Sequence, residues 1–336
     1  MKAIICEEPF KLAIEERPVP HAGPGEALVR ICRVGLCGTD YHIFKGNQPF
    51  LAYPRVMGHE LAGEIVEAPK ESGLTPGDRV TINPYLPCGD CKACRLGKPN
   101  CCCAIRVLGV HMDGGMSEII AVPLSAVIAV PGLALDQAAM VEFLAVGAHA
   151  VRRGMVRAGE TVLVVGAGPI GVGVALFARI AGARVLLADT SAQRLAHARD
   201  RIGAAPTCLV GEHLAADLAE WTGGDFFDCV FDATGNSSAI EQGFNWVAHG
   251  GRYVLVSVVK DRIRFSDPEF HKREMMLIGS RNALREDFEQ VIACMMDGSL
   301  PSADLHTHSF ELKNLENDMP NLLAMQGSVM KAIGRF

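Results

Sequence analysis

The stretch Thr161–Asp189, TVLVVGAGPIGVGVALFARIAGARVLLAD, constrains this chain more than any other. An apolar run of strand length, Val162–Val165, leads into Gly166-x-Gly168-x-x-Gly171. An apolar helix, expected over Pro169–Ala181, is stopped by Gly182, and a second strand, Arg184–Ala188, ends at Asp189. A glycine triplet alone is weak evidence, but between a strand and a helix, with an acidic residue closing the next strand, it is the signature of a dinucleotide-binding βαβ unit. Gly166 permits the tight turn, Gly168 lets the backbone approach a pyrophosphate, and Gly171 lets the helix pack on the strand. The helix N-terminus, which begins at Pro169 and Ile170, offers the free N–H groups that follow the proline and partial positive charge to the phosphates. Asp189 is expected to accept hydrogen bonds from the ribose hydroxyls and to repel a 2′-phosphate, which favours NAD over NADP; Arg194, in the next helix, is a further cofactor candidate. The uncharged residues Thr161–Ala178 have the length of a membrane span, but Gly166, Gly168, Pro169, Gly171 and Gly173 interrupt them.

The rhythm around this unit is that of alternating strands and helices from about residue 151. A helix is expected over Ser191–Asp200, and strands over Phe227–Asp232, Tyr253–Val259 and Met275–Ile278, the pattern of a parallel sheet with crossover helices. Residues 1–150 read differently: short β-prone runs such as Ala27–Cys32, Gly63–Val66 and Arg79–Ile82 lie between turn signals at Gly23-Pro24-Gly25 and Pro76-Gly77-Asp78. From about Asn282 a helix and a β-prone end, Val329–Phe336, are expected to rejoin this mostly β part. The domains expected are therefore 1–150 with 283–336, and 151–282. A chain of 336 residues accommodates two such domains. Its net charge of −6, without a basic run, argues against nucleic acid and anionic membranes as partners. Glu7, Glu8 and Lys11 interrupt the N-terminal apolar residues, so no signal peptide is expected, the location expected is cytoplasmic, and the twelve cysteines are expected to stay reduced.

Reduced cysteines at close spacing point to metal. Cys88, Cys91, Cys94 and Cys102 form a C-x2-C-x2-C-x7-C run, suited to a closed tetrahedral zinc site that holds a loop and leaves no position for substrate. A ferredoxin-type iron–sulfur run would place its fourth cysteine at position 98 before a proline, and Lys98 stands there ahead of Pro99. Cys101 and Cys103 flank the fourth ligand, and spacing alone does not exclude them. A second constellation is Gly35-Leu36-Cys37-Gly38-Thr39-Asp40-Tyr41-His42 with Gly58-His59-Glu60. A catalytic zinc needs three protein ligands and one open position. Cys37 and His59 supply two, and Glu142, in MVEFLAVGAHA, is the candidate for the third.

With these motifs the chain resembles, over essentially its full length, the zinc-containing medium-chain alcohol dehydrogenases. It is similar to the sorbitol and threonine dehydrogenase branch, and more so to bacterial dehydrogenases of hexonic acids that oxidise L-galactonate or L-gulonate at C5. The resemblance implies an α/β fold: a GroES-like, mostly β catalytic domain and a Rossmann domain with a doubly wound parallel sheet. It implies two zinc ions per chain, NAD, and a homo-oligomer, dimeric or tetrameric. By motif position it gives Cys37, His59 and Glu142 the catalytic zinc, makes Glu60 an alternative ligand, and has Asp40 orient His59. The sequence departs from the family pattern at Phe143, where proline is usual. The resemblance also implies the chemistry: a Lewis acid lowers the pKa of the substrate hydroxyl, hydride passes to NAD⁺, and the proton leaves through Thr39 and His42. The stretches Phe265–Glu274 and Ile278–Asn282 resemble the hexonate branch more than the polyol branch. A substrate carboxylate needs a cationic partner, for which Arg281, Lys272 and Arg106 are candidates, with His111 and Asn282 as hydroxyl partners. Neutral polyols, L-threonine, a zinc-free reductase and a non-catalytic NAD-binding regulator are the competing readings.

Overall fold

A computed structural model describes residues 1–48, 51–325 and 327–336. The chain divides into two units: Met1–Phe143 with Ala283–Gly298 and Leu305–Phe336, and Leu144–Asn282 with Ser299–Asp304.

The first unit is mostly antiparallel β. Its larger sheet among the described residues runs Val127–Ala129, Arg79–Ile82, Glu60–Glu67, Glu26–Leu36, Lys331–Arg335 and His306–Glu311, with Ile119–Pro123 also paired to Glu26–Leu36. Glu26–Leu36 is the spine, because EALVRICRVGL is largely apolar and buries Ala27, Leu28, Val29, Ile31, Val34 and Leu36, as a central strand does. A smaller sheet joins Lys11–Glu16, Lys2–Glu8 and Arg55–Val56. The core between these elements is built on residues such as Ile5, Ile43, Met57, Leu61 and Ile65. The C-terminal segment does add to this sheet: Ala332 and Ile333 pair with Leu36 and Gly35.

The second unit is a parallel sheet in the order Thr207–Leu209, Arg184–Asp189, Thr161–Val165, Phe227–Asp232, Val247–Leu255 and Met276–Gly279. By chain order this is 3-2-1-4-5-6, the doubly wound arrangement whose crevice lies at the carboxyl ends of the first strands. The helix Pro169–Ile180 is apolar throughout and buries residues Gly171–Ala178, as a helix laid on a sheet must. Two expected boundaries differ. The fifth strand starts at Val247 and stops at Leu255, because the N–H groups of Val256 and Ser257 turn onto the carbonyl of Asp232. The helix after Asp189 starts at Ala192, capped by the Ser191 hydroxyl, and widens to a π-helical turn over His197–Ile202 before Gly203 ends it. No helix among the described residues is long and apolar enough to cross a membrane.

Candidate functional site

The metal constellation sits where three segments of the first unit meet. Cys37 directly follows the spine strand and is the N-cap of the short helix Gly38–Phe44. His59 lies directly before the strand Glu60–Glu67, and that strand pairs with the spine so that Glu60 faces Gly35. Ligand atoms of Cys37, His59 and Glu60 all lie within 4.8 Å of one another. Asp40 joins the two segments: its carboxylate accepts the Cys37 N–H at 2.9 Å and the Gly58 N–H at 3.3 Å. It also stands 3.9 Å from His59 Nδ1, an ion-pair distance and longer than a hydrogen bond.

Glu142 enters from the first turn of the helix Val141–Arg153 and is buried. The Tyr85 hydroxyl donates to its Oε1. Burial pushes the Glu142 carboxyl up to about 7, against the pull of His59. Burial also raises Asp40. For His59 burial acts downward, but Asp40 and Cys37 outweigh it and hold the imidazole well above its ordinary value. The site is thus buried and rich in acidic groups. A dication relieves that arrangement, and the donors suit zinc: a thiol sulfur, an imidazole and a choice of carboxylates. His59 Nδ1 is buried without a hydrogen-bond partner among the described residues, with the Asp40 carboxylate 3.9 Å away. Thr39 is half-buried and His42 exposed on the same short helix.

The four cysteines of the lobe also converge. Their sulfurs lie within 4.8 Å of one another, with Cys91–Cys94 and Cys88–Cys102 each at 3.5 Å. Cys102 is buried while Cys101 and Cys103 are exposed, so Cys102 is the one of the three consecutive cysteines that turns into the cluster. Backbone N–H groups of Cys94 and Cys103 face Cys91 and bring its thiol down to about 6, and the Cys88 N–H lowers Cys102 likewise. N–H donors aimed at thiolates are what a closed tetrathiolate zinc site requires.

In the second unit, Gly166, Gly168, Asp189 and Arg194 line a cavity of about 460 Å³ with Thr234 and Trp246. The glycines divide by role. A Cβ on Gly171 would fall 1.7 Å from the Gly166 carbonyl oxygen, so Gly171 serves helix packing. Gly168 has an ordinary φ of −76° and open space where its Cβ would lie, so protein packing does not account for it. Pro169 follows as the first helical residue, with Ile170 next. The Asp189 carboxylate accepts the N–H groups of Ala167 at 2.6 Å and Ser191 at 2.7 Å, tying the glycine turn to the second strand. That role in holding the turn together was not evident from the sequence.

The substrate candidates divide between the two units. Arg106 and His111 are exposed in the first unit, where the His111 ring accepts the Val107 N–H. Lys272, Arg281 and Asn282 belong to the second unit; Lys272 is exposed beside Glu269, and Asn282 adopts a φ of +55°. Two residues of the metal site escaped sequence reasoning, Tyr85 and Lys331. Lys331 is buried, with its Nζ at 2.6 and 2.7 Å from the two Glu60 oxygens.

Residues 23–132 match the alcohol dehydrogenase GroES-like domain, and residues 169–297 the zinc-binding dehydrogenase domain. The chain is 44% identical over 316 residues to an L-galactonate-5-dehydrogenase of Escherichia coli K12, covering 94% of this chain and 93% of the relative. It is 33% identical to a D-altritol 5-dehydrogenase of Agrobacterium fabrum, covering 94% of each. The crystal structure of RspB from E. coli CFT073, complexed with NADH, superposes with a TM-score of 0.92 at 31% identity, over 100% of this chain and 99% of that one.

Proposed function

The chain belongs to the zinc-type medium-chain alcohol dehydrogenases, and on that premise we propose that it oxidises a secondary hydroxyl of an open-chain hexonate, of the L-galactonate or L-gulonate type, to the keto acid with NAD. The observation that carries the reading is the convergence of Cys37, His59 and the buried Glu60 in one unit, with Glu142 buried on the same unit, in a chain whose other unit holds an open glycine turn. Cys37, His59 and Glu142 hold the catalytic zinc, with Glu60 in reserve, and the Cys88–Cys102 lobe holds a second. When bound, zinc supplies Lewis acidity to the substrate hydroxyl and the nicotinamide accepts hydride. The protein's own work is positional. Asp40 fixes the backbone of both ligand segments, which sets the geometry before substrate arrives. The Thr39 hydroxyl takes the substrate proton, and His42, exposed on the same helix, passes it to water. Gly166, Gly168, Pro169, Ile170 and Gly171 cradle the pyrophosphate, and Asp189 and Arg194 meet the adenosine ribose. Arg281, Lys272 or Arg106 binds the substrate carboxylate, with Asn282 and His111 on its hydroxyls. We take the working domains as 1–150 with 283–336 and 151–282, beside which the units of the structure divide at Phe143 and assign Ser299–Asp304 to the second; the chain works as a homo-oligomer in the cytoplasm.

A neutral polyol is the second reading, favoured by the D-altritol dehydrogenase relative. Steady-state NADH formation separates the two. A hexonate is expected to exceed its matching hexitol at least about tenfold in kcat/KM, roughly 1.4 kcal/mol of discrimination. Equal or faster turnover of galactitol or sorbitol assigns the protein to the polyols instead.

A further inference from the structure

In the second unit one buried carboxylate, outside the glycine motif, fastens two turns together. We propose that Asp232 is a positioning residue for the nucleotide: with Ser257 it clasps the turns that follow the strands Phe227–Asp232 and Val247–Leu255, and so fixes the Ala233–Gly235 backbone as the wall of the cavity beside the glycine turn. The proposal rests on the NAD reading above and names what orders that same cavity.

Asp232 ends the fourth strand of the parallel sheet, where it pairs with Val165 of the first, and is 0% exposed. A carboxylate buried so fully needs donors for its oxygens. Its Oδ1 accepts the Thr234 N–H at 3.0 Å, the Thr234 hydroxyl at 2.9 Å and the Ser257 hydroxyl at 3.1 Å, and its Oδ2 lies 3.1 Å from the Thr234 hydroxyl. Both hydroxyls also accept. That of Thr234 takes the Asn236 N–H at 3.1 Å, and that of Ser257 takes the Gly235 N–H at 3.0 Å. A hydroxyl has one proton to give, so the network runs from backbone N–H through hydroxyl to carboxylate. Burial pushes the carboxyl up, and these donors pull against it. The Asp232 carbonyl adds to the clasp by accepting the N–H groups of Val256 at 3.0 Å and Ser257 at 3.3 Å.

What the clasp holds is part of the cavity. Ala233, Thr234 and Asn236 line it with Gly166, Gly168 and Asp189, while Asp232 and Ser257 stand outside that lining. The turn lies directly on the glycine motif. The Ala233 N–H donates to the Val165 carbonyl at 2.8 Å, and a Cβ on Gly166 would fall 3.0 Å from the Ala233 carbonyl. Gly235 turns the chain at a φ of +65°, the position with most conformational freedom to lose, and it is there that Ser257 takes the N–H. Asn236 follows and caps the helix Ser237–Gly243 through the Ala239 N–H. A wall ordered in advance lowers the cost of ordering it when the nucleotide binds.

The test is nucleotide binding by the full-length protein, with NADH followed by fluorescence and ADP by calorimetry, so that no hydride transfer enters the readout. Ser257→Ala removes a hydroxyl that does not line the cavity and is expected to raise both Kd values at least about fivefold; Asp232→Asn is expected to raise them at least about tenfold. Ser257→Thr keeps the hydroxyl and is expected to recover most of the affinity. A clasp that served stability alone lowers Tm and leaves the Kd of the folded protein unchanged. Parental Kd values for both nucleotides in Ser257→Ala, or a Ser257→Thr protein that binds no more tightly than Ser257→Ala, overturn the proposal. Should Asp232→Asn fail to fold, Ser257→Ala decides alone. The NAD reading fails separately: a parent that binds neither NADH nor ADP has no nucleotide site for Asp232 to order.

Discussion

Two glycines three positions apart give the sharpest test of the nucleotide cleft, because the structure assigns them opposite burdens. At Gly171 a methyl group would sit 1.7 Å from the Gly166 carbonyl oxygen, inside any van der Waals contact. Gly171→Ala must therefore push the helix Pro169–Ile180 off its strand, and overpacking against backbone costs on the order of 3 kcal/mol or more. For a unit of this size that lowers Tm by roughly 6–12 °C. At Gly168 the backbone has an ordinary φ and nothing lies within 4 Å of the added carbon. Alanine there gains about 0.4–1 kcal/mol from a stiffer unfolded chain. It loses a similar amount because glycine is the better N-cap. The net change in stability is expected within about 0.5 kcal/mol, a Tm shift of no more than about 2 °C. NADH affinity should move the other way: the methyl group occupies the space a pyrophosphate needs, and Kd is expected to rise at least about tenfold, near 1.4 kcal/mol. Thermal melts and titration of NADH fluorescence measure both quantities on the same samples. A Gly168→Ala protein that binds NADH as the parent does refutes the placement of the pyrophosphate, and a Gly171→Ala protein with an unchanged melt refutes the packing argument.

The other predictions probe separate parts of the molecule. Cys91→Ala opens a closed tetrathiolate site, so zinc analysis is expected to lose about one ion per chain and solubility or Tm to fall; a variant that melts as the parent does contradicts a structural zinc. Asp189→Ala removes the acid that disfavours a 2′-phosphate and is expected to narrow the preference for NAD over NADP in kcat/KM; a parent that already reduces NADP⁺ as fast as NAD⁺ at low concentration shows that Asp189 is misassigned. It also strips two backbone bonds, so a lower Tm accompanies it. For Asp136, burial alone would raise the carboxyl, but Arg33 at 2.5 Å, with Arg335 and His306 nearby, holds it below its ordinary value. A depressed carboxylate contributes its stability in full above the unfolded value, about 3.9, and loses it as pH falls through the lower folded value. Asp136→Asn is therefore expected to cost about 1 kcal/mol near neutral pH, in denaturant melts, and progressively less as pH falls below about 4. A cost that stays constant down to pH 2 refutes the ion-pair account.

What could be read in advance follows from how locally each feature is encoded. The glycine turn and the cysteine lobe each occupy one short stretch, so their spacing carried the signal, and strand, turn and helix formed where the pattern put them. Cys37 and His59 lie 22 residues apart, but each is marked by a rare residue type in a glycine-flanked motif, and the strand pairing of Gly35 with Glu60 brings the two motifs together. The supporting residues carry no such mark. Tyr85 reads as one more aromatic in a β-prone segment. Lys331, in SVMKAIGRF, reads as the polar member of an edge strand and lies 271 residues from the glutamate it clamps. The contact between them is a product of the last strand pairing with the spine: the β-prone end marks the return to this part, but no local pattern gives the register that sets Lys331 beside Glu60.

The charge balance of the metal site makes the same point in energetic terms. Asp40, Glu60 and Glu142 are all buried, and Glu60 lies together with Cys37 and His59. Burying isolated charges is costly, and each needs a partner or a proton. Asp40 has two backbone N–H donors and the nearby imidazole, Glu60 has Lys331, and Glu142 has a tyrosine hydroxyl and a carboxyl shifted up to about 7. Of the three, Glu142 therefore has the least cationic support from the protein itself, and it gains most from a dication.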